Sequence, residues 1–579
     1  MALRPKKLES ADRHLARSVL WIALAIYTLT FGGGPGDLDR DAELSYQATR
    51  ALAYGDGLRI TDETPGGATL LAEGSRVRPV DGGGSGVALV EPLPVVLGVP
   101  FFLLGAQFAR VFPTVEEIDR ETTPGFAGAR DEYWSRLFVG WSHVLFASLA
   151  AWLVCLSCLR LGASRPAAWI GSVLLVTTTF LWPASSSWVP SAASAFFAAF
   201  TLHAALRIRS CFYELSAAGP WHWVVLGVAL GGAAACEPVF APAAVVVAIS
   251  AVRMSVRGRK RLWSMPLLKG EAGVRRSFFD VALLLLPFTA CAALMGWGSA
   301  QRGEPFLAAY TGVEPFAGDA GSNWVAELAG LAASPGKGLV WLAPCLLLAV
   351  FGYARLRREP RLVTLTGWVP LVGALGAAAW GGWADLRAFE PLALAPVLVL
   401  VWPAVVLGID QLREHGGGRW LVAALAVLGL VANLGGLIAS RGAFRTLADH
   451  TAVELFDLEP SRPFVRPHDD LPGRILERRV AWDWRTAAPW VGWRLVRHRA
   501  AAAQGDFAAE VFPLIQVVLV EEGAPVRIEA ERDRGFHQFA WHDLEQRLGG
   551  PVWPVLLLVI FGLGAGAVGA AVGLDPTKP

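Results

Sequence analysis

Charge is scarce in this chain. Asp, Glu, Lys and Arg make up 17% of its 579 residues, against about 25% in an ordinary soluble protein. Hydrophobic residues make up 54%, and the mean hydropathy is +0.45. The shortage of charge excludes an intrinsically disordered chain and an ordinary cytosolic enzyme, and favours a polytopic membrane protein. Cysteine is also sparse, with six residues, too few for a disulfide-built scaffold. The Cys155-Leu156-Ser157-Cys158 spacing has the form of a redox or metal pair. It lies in an unbroken apolar run with no second pair and no nearby histidine, so packing is the expected role. The ten histidines are scattered, with no pair at metal-ligand spacing. No metal, disulfide or cofactor is expected. A net charge of +2 gives no reason to expect nucleic acid as a partner, and no phosphate-cradling glycine loop or nucleotide-binding pattern is present.

The apolar residues are gathered into long runs. A membrane-spanning helix takes about 20 mostly apolar residues. Runs at 19–33, 137–159, 167–183, 191–206, 221–234, 239–252, 279–298, 338–354, 363–380, 391–408, 420–439 and 552–572 approach or meet that length. The expected architecture is therefore an all-α polytopic membrane protein with about 12 transmembrane helices. The first run carries no small-residue cleavage site and reads as a span rather than a cleaved signal.

Basic residues fix an expected orientation, because cytoplasmic loops are enriched in Lys and Arg. Residues 1–17 carry a net +3, and 253–276 a net +7. Smaller basic loops hold Arg160 and Arg165, Arg207 and Arg209, Arg355 to Arg361, and Arg413 and Arg419. Two apolar runs separate each from the next, the pattern of hairpins returning to one face. The run Arg257–Arg261 reads as a topology signal or a contact with anionic lipid. Residues 34–133 then form a first external loop, with sixteen acidic and eight basic residues. The apolar stretch 91–112 within it is read as lying at the outer interface, with Pro92, Pro94 and Pro100 breaking a straight span. A second large external loop is expected over 299–337. Residues 1–440 form the transmembrane part, 441–550 an external segment, and 551–579 a final span and tail. Partly alternating apolar and polar residues at 515–521, 525–531 and 536–541 suggest short strands, so the external segment is read as a small α/β unit.

Three clusters could carry chemistry. Gly36-Asp37-Leu38-Asp39-Arg40-Asp41-Ala42-Glu43 places four carboxylates just after the first span. One Asp can act as a general base toward an acceptor hydroxyl; the alternative is a solvated loop whose Asp caps the following helix. The second cluster is Gly303–Gly312 together with Ser334-Pro335-Gly336-Lys337-Gly338-Leu339, which opens a helix. A helix N-terminus with glycines and a lysine suits an anion; the alternative is a capped helix with a snorkelling lysine. The third is Trp380-Gly381-Gly382-Trp383-Ala384-Asp385-Leu386-Arg387. There Arg387 can bind phosphate in bidentate fashion, or pair with Asp385 or lipid headgroups.

In order along the chain, these motifs resemble the polytopic glycosyltransferases of the GT-C superfamily, the group that includes protein O-mannosyltransferases and aminoarabinose transferases, and more closely a bacterial membrane branch of it. Asp41 with Ala48-Thr49-Arg50-Ala51-Leu52-Ala53 is similar to that family's acidic residue and following helix. Asp81-Gly82 and the stretch Leu97 to Gly105 are similar to its glycine–proline interface motif. Gly303–Gly312 with Ser334–Pro344 resembles its paired second-loop motif, and Trp380–Arg387 its tryptophan–glycine turn. Lys337 stands where the family has Arg. The resemblance covers roughly 18–410.

The resemblance implies an enzyme of the bacterial inner membrane. Such an enzyme transfers a sugar from a polyprenyl-phosphate donor to a hydroxyl of a lipid, glycan or protein acceptor at the external, periplasmic face. It implies Asp41, or else Asp39, as the base, with Lys337, Arg387 and Arg302 holding the departing phosphate. A non-catalytic member of the same fold and a lipid flippase are the rival readings. Few ionisable residues lie deep in the spans, which argues against an ion-coupled carrier.

Overall fold

A computed structural model describes residues 8–32, 40–61, 77–80, 85–88, 90–114, 133–186, 191–214, 218–263, 274–301, 324–357, 359–380, 391–438 and 552–575, with Trp493, Trp541 and Leu544. The helices in the first half of the chain are α1 (Ser10–Thr30), α2 (Arg40–Tyr54), α3 (Pro92–Val111), α4 (Tyr133–Arg160), α5 (Arg165–Thr177), α6 (Leu181–Ser185), α7 (Ser191–Tyr213), α8 (Pro220–Cys236) and α9 (Ala241–Trp263). They continue with α10 (Val274–Gln301), α11 (Trp324–Ala333), α12 (Leu339–Leu342), α13 (Ala349–Leu356), α14 (Pro360–Val363), α15 (Val369–Trp380), α16 (Ala395–Leu412), α17 (Gly416–Ile438) and α18 (Trp553–Leu574).

Each apolar run read from the sequence overlaps helix, often with helical flanks that extend into charged residues. α1 begins well before its apolar stretch. A reciprocal cap explains this: the Glu9 side chain accepts from the backbone N–H of Asp12, and Asp12 accepts from the Glu9 N–H at 3.0 Å, satisfying two N–H groups the helix would otherwise leave open. Among the described residues, eight helices are long and apolar enough to cross a membrane. α8 is a shorter apolar helix, and the run at 338–354 is divided among α12, a 3-10 turn over Pro344–Leu348, and α13.

Burial sorts these helices into an inside and an outside. In α4, α7 and α16, 72–78% of the apolar stretch is buried; in α10 and α18 the figures are 17% and 22%. Leu286 of α10, Trp420 of α17 and Phe561 of α18 face outward. A belt of large apolar side chains around a helical bundle is covered by lipid. The chain is thus an integral membrane protein with a protein-packed centre.

Close backbone approach holds the centre together. A methyl group at Gly352 of α13 would overlap the Ala404 carbonyl of α16, and one at Gly408 the Leu348 carbonyl. Small residues permit such crossings where hydrocarbon surrounds the helices. Gly352→Ala is expected to cost about 1–3 kcal/mol by overpacking, read as a lower thermal midpoint in detergent. Gly416→Ala, at a position open to space, serves as the matched control with no such loss.

The basic loops meet on one face, as the hairpin pattern requires. Arg165 at the start of α5 pairs with Asp12 at 2.8 Å and also with Glu9, and the hydrogen bond it donates to Asp12 holds its guanidinium above its ordinary pKa. Asp410 near the end of α16 accepts from Ser164 and Arg355 and lies 3.4 Å from Arg413. Arg209 of α7 pairs with Glu359 at 2.7 Å.

Two expectations about the first loop need correction. It contains a three-stranded antiparallel sheet, β1 (Arg59–Thr61), β2 (Val77–Val80) and β3 (Ser85–Ala88), in the order β1-β3-β2. Moreover, the prolines do not break α3. Pro92 sits in the first turn, where a missing N–H costs nothing, and Pro100 is accommodated inside a continuous 20-residue helix. By length α3 is one of the eight possible spans. It packs against the start of α4. Gly98 faces Val139, Phe102 O accepts from Ser135 Oγ at 3.2 Å, and Phe112 O accepts from Trp134 Nε1 at 3.2 Å. The strands expected at 515–541 lie outside the described residues, apart from Trp541.

Candidate functional site

The face opposite the basic loops is organised by α2. One side of this helix is apolar: Leu44 and Ala48 pack with Leu58, Ile60, Val77, Val87 and Ala88 of the sheet region and with Val95 of α3. The same small core takes in Leu52 and Trp297 of α10.

The polar side of α2 is clamped to the bundle. Arg136, in the first turn of α4, grips Glu43 in a bidentate pair: Nη2 donates to Oε1 at 2.9 Å and Nη1 to Oε2. Gln47 Nε2 donates to the same Oε1 at 2.7 Å, and the guanidinium lies 4.3 Å from the centre of the Tyr46 ring. The side chains are only 5% and 12% exposed. A shielded, forked ion pair with a ring over one partner is a strong and directional contact. Glu43 is therefore a structural carboxylate. Asp41 lies two residues before it, at the second position of α2. Sequence reading missed Arg136. The available signal was an arginine directly before an apolar run, at the edge of a span, where charge is costly unless paired.

Of the five residues proposed from sequence, Lys337 is the one whose side chain is described. Asp39, Arg302 and Arg387 lie outside the described residues, and Asp41 is placed by its helix. Lys337 is 1% exposed. It sits in the turn from α11 to α12, where Gly338 N–H donates to Ser334 O at 2.7 Å, and residues 334–338 are all buried. This is not a snorkelling lysine. Among the described residues, the neighbouring Ser334 Oγ is buried with no hydrogen-bond partner. One part of the sequence reading fails here. The helix opened by Gly338 has only four residues, too few aligned peptide dipoles for a strong anion-attracting terminus. Any anion affinity of this turn rests on the lysine and serine.

Arg302 follows Gln301, whose side chain packs at Gly57, just beyond the C-terminal end of α2. Asp41 is at the other end of that helix, about 20 Å away at 1.5 Å per residue.

The end of the 441–550 segment returns to this same face. Trp541 Nε1 donates to the Leu29 carbonyl at the end of α1, at 2.8 Å. Leu544 and Val552 pack on Tyr133, one turn from Arg136. Cys155 and Cys158 are buried in the core packing of α4.

The described helices define a polytopic integral membrane protein in which α2, placed between α1 and α4, is locked to the bundle. No family model and no curated protein matches the chain. Two solved structures align with it. One is the apo crystal structure of an oligosaccharyltransferase from Archaeoglobus fulgidus, with 14% identity, a TM-score of 0.33, and coverage of 86% of this chain and 60% of that one. The other is the oligosaccharyltransferase AglB of the same archaeon, in complex with an inhibitory peptide and a dolichol-phosphate. It has 14% identity, a TM-score of 0.28, and coverage of 96% and 56%. The chain thus spans about three fifths of the length of these structures, and at such scores the architecture rests on its own helices.

Proposed function

We propose that this protein is a membrane glycosyltransferase of the GT-C kind, taking its sugar from a polyprenyl-phosphate donor at the face that carries α2. The observation that carries this reading is the buried Lys337. Taking an ammonium out of water costs several kcal/mol, and charge kept inside a membrane protein marks a functional position. A buried lysine in one turn with a serine hydroxyl that has no partner among the described residues suits a phosphate ester whose lipid tail lies between helices.

In the proposed reaction the acceptor oxygen forms a bond to the anomeric carbon as the bond from that carbon to the phosphate oxygen breaks. The hydroxyl proton passes to Asp41, with Asp39 the rival base, and the lipid leaves as its phosphate. Lys337, with Arg387, stabilises the charge that develops on the leaving oxygen; Arg302 is the weakest of the three candidates.

The test is transfer of radiolabelled sugar from a panel of polyprenyl-phosphate donors in membranes holding the full chain. The wild type is compared with Lys337→Arg and Lys337→Met. Loss of one charge-stabilising donor costs about 10²–10³ in rate. That loss is expected for Lys337→Met, with much of the rate kept by Lys337→Arg. Equal rates in wild type and Lys337→Met, at equal protein level, would remove the phosphate role of this residue.

A further inference from the structure

A second charged site lies on the opposite face, away from α2. Arg209 of α7, Arg253 and Arg257 of α9, and Arg361 of α14 line one cavity of about 200 Å³. Arg209 is buried and is fixed by Glu359, so its position is built in. The other three are exposed at the rim. No carboxylate lines the cavity among the described residues. Its floor is apolar, with Leu206, Val247 and Leu365. The wall at Thr364 and Leu365 belongs to a π-helical turn, Thr364–Trp368, between α14 and α15. Such turns are rare and are often found at functional sites.

Glu359 compensates Arg209, but Arg253, Arg257 and Arg361 crowd three more positive charges around the same cavity, and an anion among them relieves their repulsion. The apolar floor adds a second requirement, that the anion carry a hydrocarbon part. We propose that this cavity binds the headgroup phosphate of an anionic membrane phospholipid, with its ester region against Leu206 and Leu365. A free phosphate would satisfy the arginines but not the floor. The three contributing helices are distant in sequence, so a lipid held here ties α7, α9 and α14 together.

The test uses full-length protein in phosphatidylcholine nanodiscs that contain phosphatidylglycerol, followed by native mass spectrometry of retained lipid. The wild type is expected to retain phosphatidylglycerol over phosphatidylcholine. Combining Arg253→Gln, Arg257→Gln and Arg361→Gln should weaken retention about a hundredfold, at about fivefold per basic residue near a charged lipid surface. Ser250→Trp, which fills the cavity and leaves all four arginines, should also abolish retention. Equal retention of the two lipids by wild type, or undiminished retention in both variants, would overturn the proposal. Displacement of the lipid by inorganic phosphate would overturn it too, in favour of a small-anion site.

Discussion

Arg136→Met should destabilise the protein by about 3–5 kcal/mol, the cost of stranding one partner of a buried ion pair. The expectation follows from burial and geometry. Arg136 and Glu43 are both shielded, their contact is bidentate, and Gln47 and Tyr46 complete the surroundings. Removing the guanidinium leaves the Glu43 carboxylate against apolar helices with a single amide donor. An exposed pair would be worth only about 0–1 kcal/mol, so the size of the effect separates the two cases. The double variant with Glu43→Gln should recover much of the loss, because the uncompensated charge is gone; that non-additivity is the signature of a direct pair. The readout is the unfolding midpoint in detergent, with proteolytic cutting near α2 as a local probe. A single-variant loss under about 1 kcal/mol, or purely additive effects, would mean that α2 is held by its apolar side alone.

The contrast between Arg136 and the spans shows what the sequence makes legible. Apolar runs announce helices because each run carries its own evidence, and the basic loops declare a common face because charge is read loop by loop. The ion pairs Asp12–Arg165, Asp410–Arg355 and Arg209–Glu359 then bring those loops together as expected. The Glu43–Arg136 pair spans 93 residues, and nothing local at either end names the other. The small sheet is invisible for a different reason. Its strands have three or four residues, too few for a two-residue period to stand out, and Asp81-Gly82-Gly83-Gly84 reads simply as loop. α3 was misjudged because proline was treated as a breaker without regard to its place in the helix. At the candidate site, the lysine-bearing turn was legible as a motif. That its helix stops after four residues was not, because Ala343-Pro344 ends it inside a run that hydropathy treats as continuous.

Asp41→Asn should lower sugar transfer by about 10²–10⁴, the usual contribution of a general base, while leaving the unfolding midpoint near that of wild type. The substitution keeps side-chain size and removes the negative charge together with the ability to take a proton. Stability is expected to hold because the contacts that fix α2 lie elsewhere, at Glu43, Tyr46 and the Leu44–Ala48 face. This separates two neighbouring carboxylates by readout: Glu43 variants should move stability, and Asp41 variants should move turnover. The kinetic pattern separates Asp41 from Lys337 as well. A base acts on the acceptor proton, so Asp41→Asn should reduce kcat with donor affinity kept. A phosphate ligand touches the donor before and during reaction, so Lys337→Met should reduce donor affinity and kcat together. Asp39→Asn is the necessary companion, since the two aspartates are one residue apart from being neighbours. If Asp39→Asn alone abolishes transfer, the base is Asp39 and the same chemistry stands two positions earlier. Transfer that survives both substitutions at full rate would remove the carboxylate mechanism. A wild type inert toward every donor and acceptor pair, with lipid movement across the membrane intact, would instead favour the flippase reading.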